Sequence, residues 1–86
     1  MSYTVLFTTE AGSMLDALDK SVRVRLIKKI AKMERKDLPS RHLKAGLPHF
    51  VEESGGYRIV FEMEGKTKLV VFVGDHKQYE NWYSQA

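Results

Sequence analysis

Two side chains of this sequence, Arg58 and His76, combine a useful chemistry with a useful position in the chain. Arg58 stands near the start of the alternating run "YRIVFEME", and His76 follows the apolar run "KLVVFV" and a Gly-Asp pair. A guanidinium is a planar fork of donors that matches phosphate oxygens. An imidazole has an unperturbed pKa near neutral pH, so it can take up or release a proton. The two groups can act together only if both strand ends reach one open face, which the sequence leaves undecided.

Both residues also have a purely structural interpretation. His76 stands where a C-terminal helix would begin, and its ring would then simply be solvated. Arg58 could instead form a structural ion pair with Glu62 or Glu80. Asp75 is expected to cap the terminal helix.

Length and composition predict a single small domain, residues 1–86. The chain has 86 residues, 43% of them hydrophobic, which is typical of a folded protein with a modest core and argues against disorder. The longest apolar run, Leu69 to Val73, is much shorter than the about 20 residues of a membrane span. The first residues lack the basic and apolar regions of a signal peptide. We therefore expect a cytoplasmic protein with no membrane partner.

The residue types also restrict the chemistry. There are no cysteines, which excludes disulfides, thiolate catalysis and cysteine-based zinc sites. The three histidines, His42, His49 and His76, lack the spacing of a helical metal pair. We expect neither a metal nor a cofactor.

Positive charge is concentrated in one segment. Residues 20–36 contain eight Lys/Arg and one Glu, a local balance of +7, whereas the whole chain has a net charge of +3. Such a segment suggests an anionic partner, either nucleic acid or an acidic protein segment. A solvated helix face with no partner is an equally simple interpretation.

Hydrophobic periodicity predicts the elements of the first half. Residues 3–8 alternate as a strand, which "AGS" should end. A helical stripe follows, with Ser13 as the predicted N-cap. "LDKS" can divide this stripe into two antiparallel helices, the second capped by Asp19 or Ser21, although a single bent helix also fits. The stripe consists of Leu15, Leu18, Val22, Leu26, Ile30 and Met33.

The second half predicts three strands and a short helix. A short strand near His49–Glu53 precedes a turn at "SGG", the strand "YRIVFEME", a turn at Gly65, and the strand "TKLVVFVG", which is apolar on both faces and should be central. A terminal helix or extended tail follows. The order β-α-α-β-β-β-α predicts a two-layer α+β fold, in which a small antiparallel sheet packs on a pair of N-terminal helices.

Several segments together resemble the RelE/ParE superfamily of toxins from toxin–antitoxin systems. The likeness is carried by "SGGYRIVFE" and "KLVVFVGDHKQYENWY", which are similar to an "xGYRhhF" strand followed by "hhFhxGxH" and a nearby tyrosine. It extends to the first strand, the "VRVRLIKKIAKM" helix and "LKAGLPHF", and so covers most of the chain. The resemblance implies a RelE-like fold.

The resemblance also implies an activity and a partner. One branch of the superfamily contains metal-free endoribonucleases that cleave mRNA, often at the ribosomal A site, and so repress translation. Its members are restrained by an antitoxin protein, commonly in a heterotetramer. Another branch acts on DNA gyrase without cleaving RNA, and an inactive member that binds RNA or protein is a further alternative.

Cleavage of RNA without a metal sets three chemical tasks. One group must take the 2′-OH proton, one must stabilise the charge of the phosphorane, and one must protonate the leaving 5′-oxygen. The resemblance places Arg58 at the phosphate-binding position and His76 at the position of an acid or base. Tyr79 or Tyr83 matches a functional tyrosine that would donate a proton or stack on a base.

Other residues are candidates for binding substrate. Arg41, Lys44 and Lys77 could contact the RNA backbone. The ribosome-dependent members carry two lysines on the strand before "GYR", whereas this chain reads "HFVEE" there. His49 is a candidate substitute, and Glu52 and Glu53 would either repel RNA or supply a general base. This departure keeps a non-catalytic or differently targeted member open.

Overall fold

The computed structural model describes residues 3–35 and 49–84. The element order is the one predicted from the sequence. The elements are β1 (Thr4–Phe7), α1 (Thr9–Asp16), α2 (Lys20–Met33), β2 (His49–Ser54), β3 (Tyr57–Glu64), β4 (Thr67–Asp75) and α3 (His76–Ser84). None of these helices is long and apolar enough to cross a membrane.

The four strands form one sheet in the order β1-β4-β3-β2. Two tight turns join β2 to β3 and β3 to β4, so these pairs are antiparallel, and β4 is central as predicted. β1 instead pairs parallel to β4. The α+β class is confirmed, and the sheet is mixed rather than wholly antiparallel because no hairpin links β1 to its neighbour.

The helix pair is divided as "LDKS" suggested, so the single bent helix is wrong, but α1 begins earlier than predicted. Its N-cap is Thr8, whose hydroxyl accepts a hydrogen bond from the backbone N–H of Ala11 at 3.1 Å. Ser13 lies inside the helix, and the prediction that it caps the helix is wrong. Thr8 takes this role because it directly follows β1 and has extended backbone angles.

The two faces of the sheet carry separate apolar clusters. Ile59 and Phe61 of β3 face the helix pair, where they pack with Leu26 and Met33 of α2. Residues of the opposite face pack with α3, which lies across β4 and β3. This second cluster consists of Val51, Val60, Phe72 and Tyr79, with Met14, Val71, Trp82 and Tyr83 at its edge. Met14 of α1 also packs against the first cluster.

A β-bulge in β4 changes which side chains face α3. Val60 pairs with Phe72, but the next residue of β3, Phe61, pairs with Val70, so Val71 is extra. Both Val71 and Phe72 therefore pack with the α3 cluster, and Val73 returns to the side of the helix pair. The bulge thus widens the apolar surface of β4 on which α3 packs.

Candidate active site

Arg58 and His76 lie at the same end of two neighbouring strands. In the β3–β4 pair, Arg58 is directly opposite Gly74. β4 ends one residue later at Asp75, and His76 is the first residue of α3. The juxtaposition that the sequence left undecided is therefore present in the structure.

A capping box fixes the start of α3. The backbone N–H of Gln78 donates to Asp75 Oδ1 at 2.8 Å, and the backbone N–H of Asp75 donates to Gln78 Oε1 at 2.9 Å. The capping role predicted for Asp75 is confirmed. Gly74 is required beside it, because a Cβ there would lie 2.8 Å from Cζ of Phe72 and 2.9 Å from Gln78 Oε1. The Gly-Asp pair therefore lets the chain turn from β4 into α3 without displacing the ring of Phe72.

Residues of β3 and α3 line a cavity at this end of the sheet. Its volume is about 360 Å³, which is large enough for part of a nucleotide. The lining residues are Arg58, His76, Tyr79, Glu80 and Tyr83. All four residues predicted to be catalytic are among them, and Glu80 is added.

The Arg58 side chain is held between a ring and a carboxylate. Its guanidinium carbon lies 4.6 Å from the centre of the Tyr79 ring, and its Nη2 lies 4.0 Å from Glu53 Oε2. Glu53 is its cross-strand neighbour on β2. The acidic neighbour of Arg58 is thus Glu53, rather than the Glu62 or Glu80 considered from the sequence.

His76 has an acidic partner one helical turn away. Its Nε2 lies 3.3 Å from Glu80 Oε2, and both side chains are more than half exposed. Sequence reasoning considered Glu80 only as a partner for Arg58. The i, i+4 spacing on a predicted helix was the available signal for the pair with His76.

The two tyrosines differ in exposure. Tyr79 is buried, and its ring packs on Phe72 and Trp82 as well as on Arg58. Tyr83 is half-buried, with its ring centre 5.9 Å from that of Tyr79. Tyr79 is therefore placed to support Arg58, whereas Tyr83 is the more accessible ring.

Of the predicted substrate-binding residues, the two that the structure describes, His49 and Lys77, do not line the cavity. His49 is 17% exposed, contacts Glu62 Oε2 through Nε2 at 3.0 Å, and packs edge-on against Trp82 at 5.6 Å. Lys77 is exposed on α3. Arg41 and Lys44 lie outside the described residues.

The two glutamates of "HFVEE" lie on opposite faces of the sheet. Glu52 is 1% exposed on the side of the helix pair, where its Oε1 contacts Lys29 Nζ at 3.3 Å. The Glu52 carboxylate therefore lies on the face away from the cavity, where it can neither repel RNA nor act as a general base. Glu53 is on the α3 side, close to Arg58, because successive residues of a strand point to opposite faces.

Among the described residues, Arg58 is the cation that lines the cavity, and groups that can transfer protons lie close to it. Arg58 can hold an anionic substrate. The imidazole of His76 and the carboxylates of Glu53 and Glu80 can accept protons from that substrate or donate protons to it. Within residues 3–35 and 49–84, no group of three or more His, Asp or Glu side chains could hold a metal ion.

No protein-family model and no curated protein matches the sequence. Solved structures do match the fold. A chain of the toxin–antitoxin complex RelBE2 from Mycobacterium tuberculosis has a TM-score of 0.77 and 21% identity, covering 88% of this chain and 100% of that one. A mutant of the E. coli toxin RelE in the free state has a TM-score of 0.77 and 23% identity, covering 96% and 93%.

A third similar structure is also an antitoxin–toxin complex. The RelB–RelE antitoxin–toxin complex from Methanococcus jannaschii has a TM-score of 0.73 and 18% identity, and the match covers 91% of this chain and 98% of that one. At these identities the comparisons establish the architecture, and the RelE-like fold predicted from the sequence is confirmed.

Proposed function

We propose that this chain, which has the fold of the RelE toxins, is itself the toxin of a toxin–antitoxin pair and acts as a metal-free endoribonuclease on mRNA. The observation that carries the proposal is the cavity lined by both Arg58 and His76. It joins a phosphate-binding group to a proton-transfer group, which are two of the three functions that RNA cleavage by its own 2′-OH requires.

The proposed reaction is a transesterification. A base removes the 2′-OH proton, and the 2′-oxygen attacks the adjacent phosphorus. The bond from phosphorus to the 5′-oxygen then breaks, and an acid protonates that oxygen. The products are a 2′,3′-cyclic phosphate and a 5′-hydroxyl, so atoms and charge balance without a further reactant.

Arg58 is the residue that would hold the phosphate. Its fork of donors can bind the non-bridging oxygens, whose charge increases in the transition state. The buried ring of Tyr79 supports the guanidinium from one side, at 4.6 Å. A phosphate on Arg58 would replace or join the contact with Glu53, which is long at 4.0 Å.

Glu53 and His76 are suited to the two proton transfers. The Glu53 carboxylate lies beside the phosphate-binding group, where it can take the 2′-OH proton. His76 lines the cavity from α3 and can give a proton to the leaving oxygen, with Glu80 orienting its ring at 3.3 Å. Tyr83, at the edge of the cavity, would stack on a base or donate a proton.

The proposal also includes the substrate-binding residues predicted from the sequence. Lys77, Arg41 and Lys44 would follow the RNA backbone, and His49 would contribute on the same side of the sheet. An mRNA substrate, free or on the ribosome, implies action in the cytoplasm and repression of translation.

An antitoxin protein is the proposed partner. The structures with which this chain shares its fold include toxin–antitoxin complexes. The proposed partner would cover the cavity and keep RNA out, and the two proteins would form a heterotetramer.

The test is cleavage of a labelled mRNA by the purified chain, with and without ribosomes and in the presence of a metal chelator. Arg58→Ala and His76→Ala should each lower the rate by about 10²–10³-fold, since each removes one transition-state group. Lys66→Ala, in the exposed turn between β3 and β4, should leave the rate unchanged. Circular dichroism checks folding, because Arg58 also packs on Tyr79.

Products ending in 2′,3′-cyclic phosphate would support the proposed reaction. If both variants cleave like the parent chain, the assigned site is wrong. If the parent chain leaves mRNA intact in every condition, the ribonuclease proposal fails.

One observation favours the gyrase-directed alternative. The α3-facing side of β2 carries His49, Val51 and Glu53, with no lysine there. Inhibition of gyrase supercoiling by the purified chain, with mRNA left intact, would select this alternative.

A further inference from the structure

Contacts at both ends hold α3 over the sheet. The capping box between Asp75 and Gln78 fixes its first turn. In its last turn, the ring of Trp82 stacks on Phe72 of β4 at 5.2 Å and meets the imidazole of His49 edge-on at 5.6 Å. The far end of α3 therefore rests in part on His49, the first residue of β2.

His49 is itself held by β3. Its Nε2 lies 3.0 Å from Glu62 Oε2, and the two residues are opposite each other in the β2–β3 pair. Because a carboxylate can only accept a hydrogen bond, Nε2 carries the hydrogen of this bond, and Nδ1 is the bare nitrogen of the neutral ring. We call Glu62, His49 and Trp82 the imidazole clamp.

The imidazole clamp is connected to Arg58 through aromatic rings. Trp82 stacks on Tyr79 with 6.5 Å between the ring centres, and Tyr79 supports the Arg58 guanidinium at 4.6 Å. A movement of Trp82 would also move the Tyr79 ring, because the two residues lie one turn apart on the same helix. Neither His49 nor Trp82 lines the cavity, so the direction of the Arg58 fork is controlled from outside it.

One atom of the imidazole clamp has no structural explanation. Nδ1 of His49 is buried and has no hydrogen-bond partner in the described parts of the chain. A phenylalanine would pack against Trp82 without the cost of this unpaired nitrogen, so packing alone does not account for a histidine here. An imidazole differs from a phenyl ring because it can take up a proton between about pH 5 and 8.

Protonation of His49 would act against the imidazole clamp. It adds charge attraction to the contact with Glu62, but both side chains are partly exposed, and exposed ion pairs contribute little. It also turns Nδ1 into a buried donor with no acceptor, which costs more than the ion pair gains. The ring can bring this donor to water only by turning away from Trp82.

Glu62 is the charged group that contacts the His49 ring among the described residues. The neighbour on α3 is Trp82, and the next residue of β2 that faces α3 is Val51, neither of which titrates. Other charged groups on this side of the sheet pair with each other, Arg58 with Glu53 and His76 with Glu80.

We propose that His49 is a positioning residue for the proposed RNA cleavage. The neutral ring, held by Glu62, keeps α3 and the Arg58 fork in the arrangement that cleaves, and protonation of the ring releases Trp82. His49 acts through Trp82 and Tyr79 and touches no reacting atom. The inference rests on the proposed function, because cleavage is the reaction that this contact would make sensitive to acid.

Two signals report on the imidazole clamp without any RNA. Trp82 is the one tryptophan of the chain, so its fluorescence emission depends on what packs against it. The Arg58 guanidinium lies against the Tyr79 ring, so the NMR shift of its Nε–H proton depends on the ring current of that tyrosine. Arg58→Lys assigns this NMR signal. Both signals should change in the parent chain from about pH 7.5 to about pH 5.5.

Variants of His49 separate its ring from its proton. His49→Phe keeps a ring against Trp82 but cannot titrate, so it should keep the Arg58 signal near neutral pH and abolish its change in acid. His49→Ala removes the ring and should shift the Arg58 signal near neutral pH. Glu62→Ala should shift it in the same direction. Glu64→Ala, two residues further along β3 and exposed, is the matched control and should not.

Cleavage kinetics test whether His49 acts through Trp82. His49→Ala should lower kcat for mRNA by about tenfold, because a displaced Arg58 fork stabilises the transition state less well. In a Trp82→Leu background the same substitution should have no further effect on kcat, since the connection is already broken. Circular dichroism checks that both variants fold. A further tenfold loss in that background would show that His49 acts on RNA directly and would overturn the proposal.

An acid-induced change of the Arg58 signal that His49→Phe abolishes supports the proposal. The same change in His49→Phe and the parent chain, or no change in the parent chain, overturns it. If the parent chain cleaves no RNA, the ribonuclease proposal fails separately. The fluorescence and NMR signals then still decide whether His49 controls the position of Arg58.

Discussion

The guanidinium of Arg58 lies 4.6 Å from the centre of the Tyr79 ring, and this contact joins β3 to α3 across the candidate active site. The ring is buried, and it packs on Phe72 of β4 and Trp82 of α3. Arg58 therefore rests on a support that the core itself holds in place, with one side left open to the cavity.

This relationship predicts different effects of two Tyr79 variants. Tyr79→Phe keeps the ring and should retain RNA cleavage within about threefold. Tyr79→Ala removes a buried aromatic side chain, should lower the free energy of unfolding by about 3 kcal/mol, and should lower cleavage because Arg58 loses its support. Urea unfolding and single-turnover cleavage measure the two effects. If Tyr79→Phe is as inactive as Tyr79→Ala, the hydroxyl takes part in the chemistry.

The position of Glu53 predicts a loss of rate without a loss of binding. Glu53→Gln removes the proposed base, so kcat should fall by about 10²-fold. RNA affinity should stay the same or increase, because a negative charge beside Arg58 is removed. Glu64→Gln, at the exposed end of β3, is the matched control. An unchanged kcat for Glu53→Gln would exclude Glu53 as the base.

Alanine substitutions at two glycines, Gly74 and Gly12, should change stability in opposite directions. Gly74→Ala places a methyl group 2.8 Å from Phe72 and 2.9 Å from Gln78, and should lower the free energy of unfolding by about 1–3 kcal/mol. Gly12→Ala lies within α1, where the new methyl would meet no atom within 4 Å apart from its chain neighbours and the helix backbone, and it should raise the free energy of unfolding by about 0.5–1 kcal/mol. Thermal unfolding measures both. Equal effects would contradict the role given to Gly74.

The ion pair between Lys29 and Glu52 predicts that substitutions of its two members have non-additive effects on the free energy of unfolding. Lys29→Met leaves the buried Glu52 carboxylate without its lysine and should cost about 2 kcal/mol, reduced from the full effect because Lys29 is 28% exposed. Adding Glu52→Gln should cost less than the sum of the two single variants. Lys32→Met, on the exposed side of α2, is the control. RNA cleavage by the folded variants should not change, since the pair lies on the face away from the cavity. A fully additive double variant would show that the two side chains do not interact.

Much of the fold could be predicted because it depends on local patterns. Alternation in "YRIVFEME" and the positive-φ glycines at positions 55, 56 and 65 define β3 and its two turns. The start of α1 was mispredicted because Thr8 and Ser13 are both good capping residues and the apolar stripe becomes clear only at Leu15. Which of two suitable caps is used depends on where β1 ends, and pairing with β4 sets that limit.

The candidate site was predictable only in part. Strand ends and motif spacing identified Arg58 and His76, and the tail identified the tyrosines. The separation of Glu52 from Glu53 depends on which face of β2 meets the helix pair, and the pairing register with β3 sets that face.

Residue order and periodicity were thus sufficient to predict the helices and strands, the order in which they follow one another, and the strand-end positions of Arg58 and His76. All three depend on neighbours along the chain. The shared cavity and the support of Arg58 by Tyr79 depend on contacts between distant segments. Those contacts are set by the sheet order β1-β4-β3-β2 and by the packing of α3 on the bulged strand β4. Local patterns do not show which strand ends meet or which side chains line a common cavity.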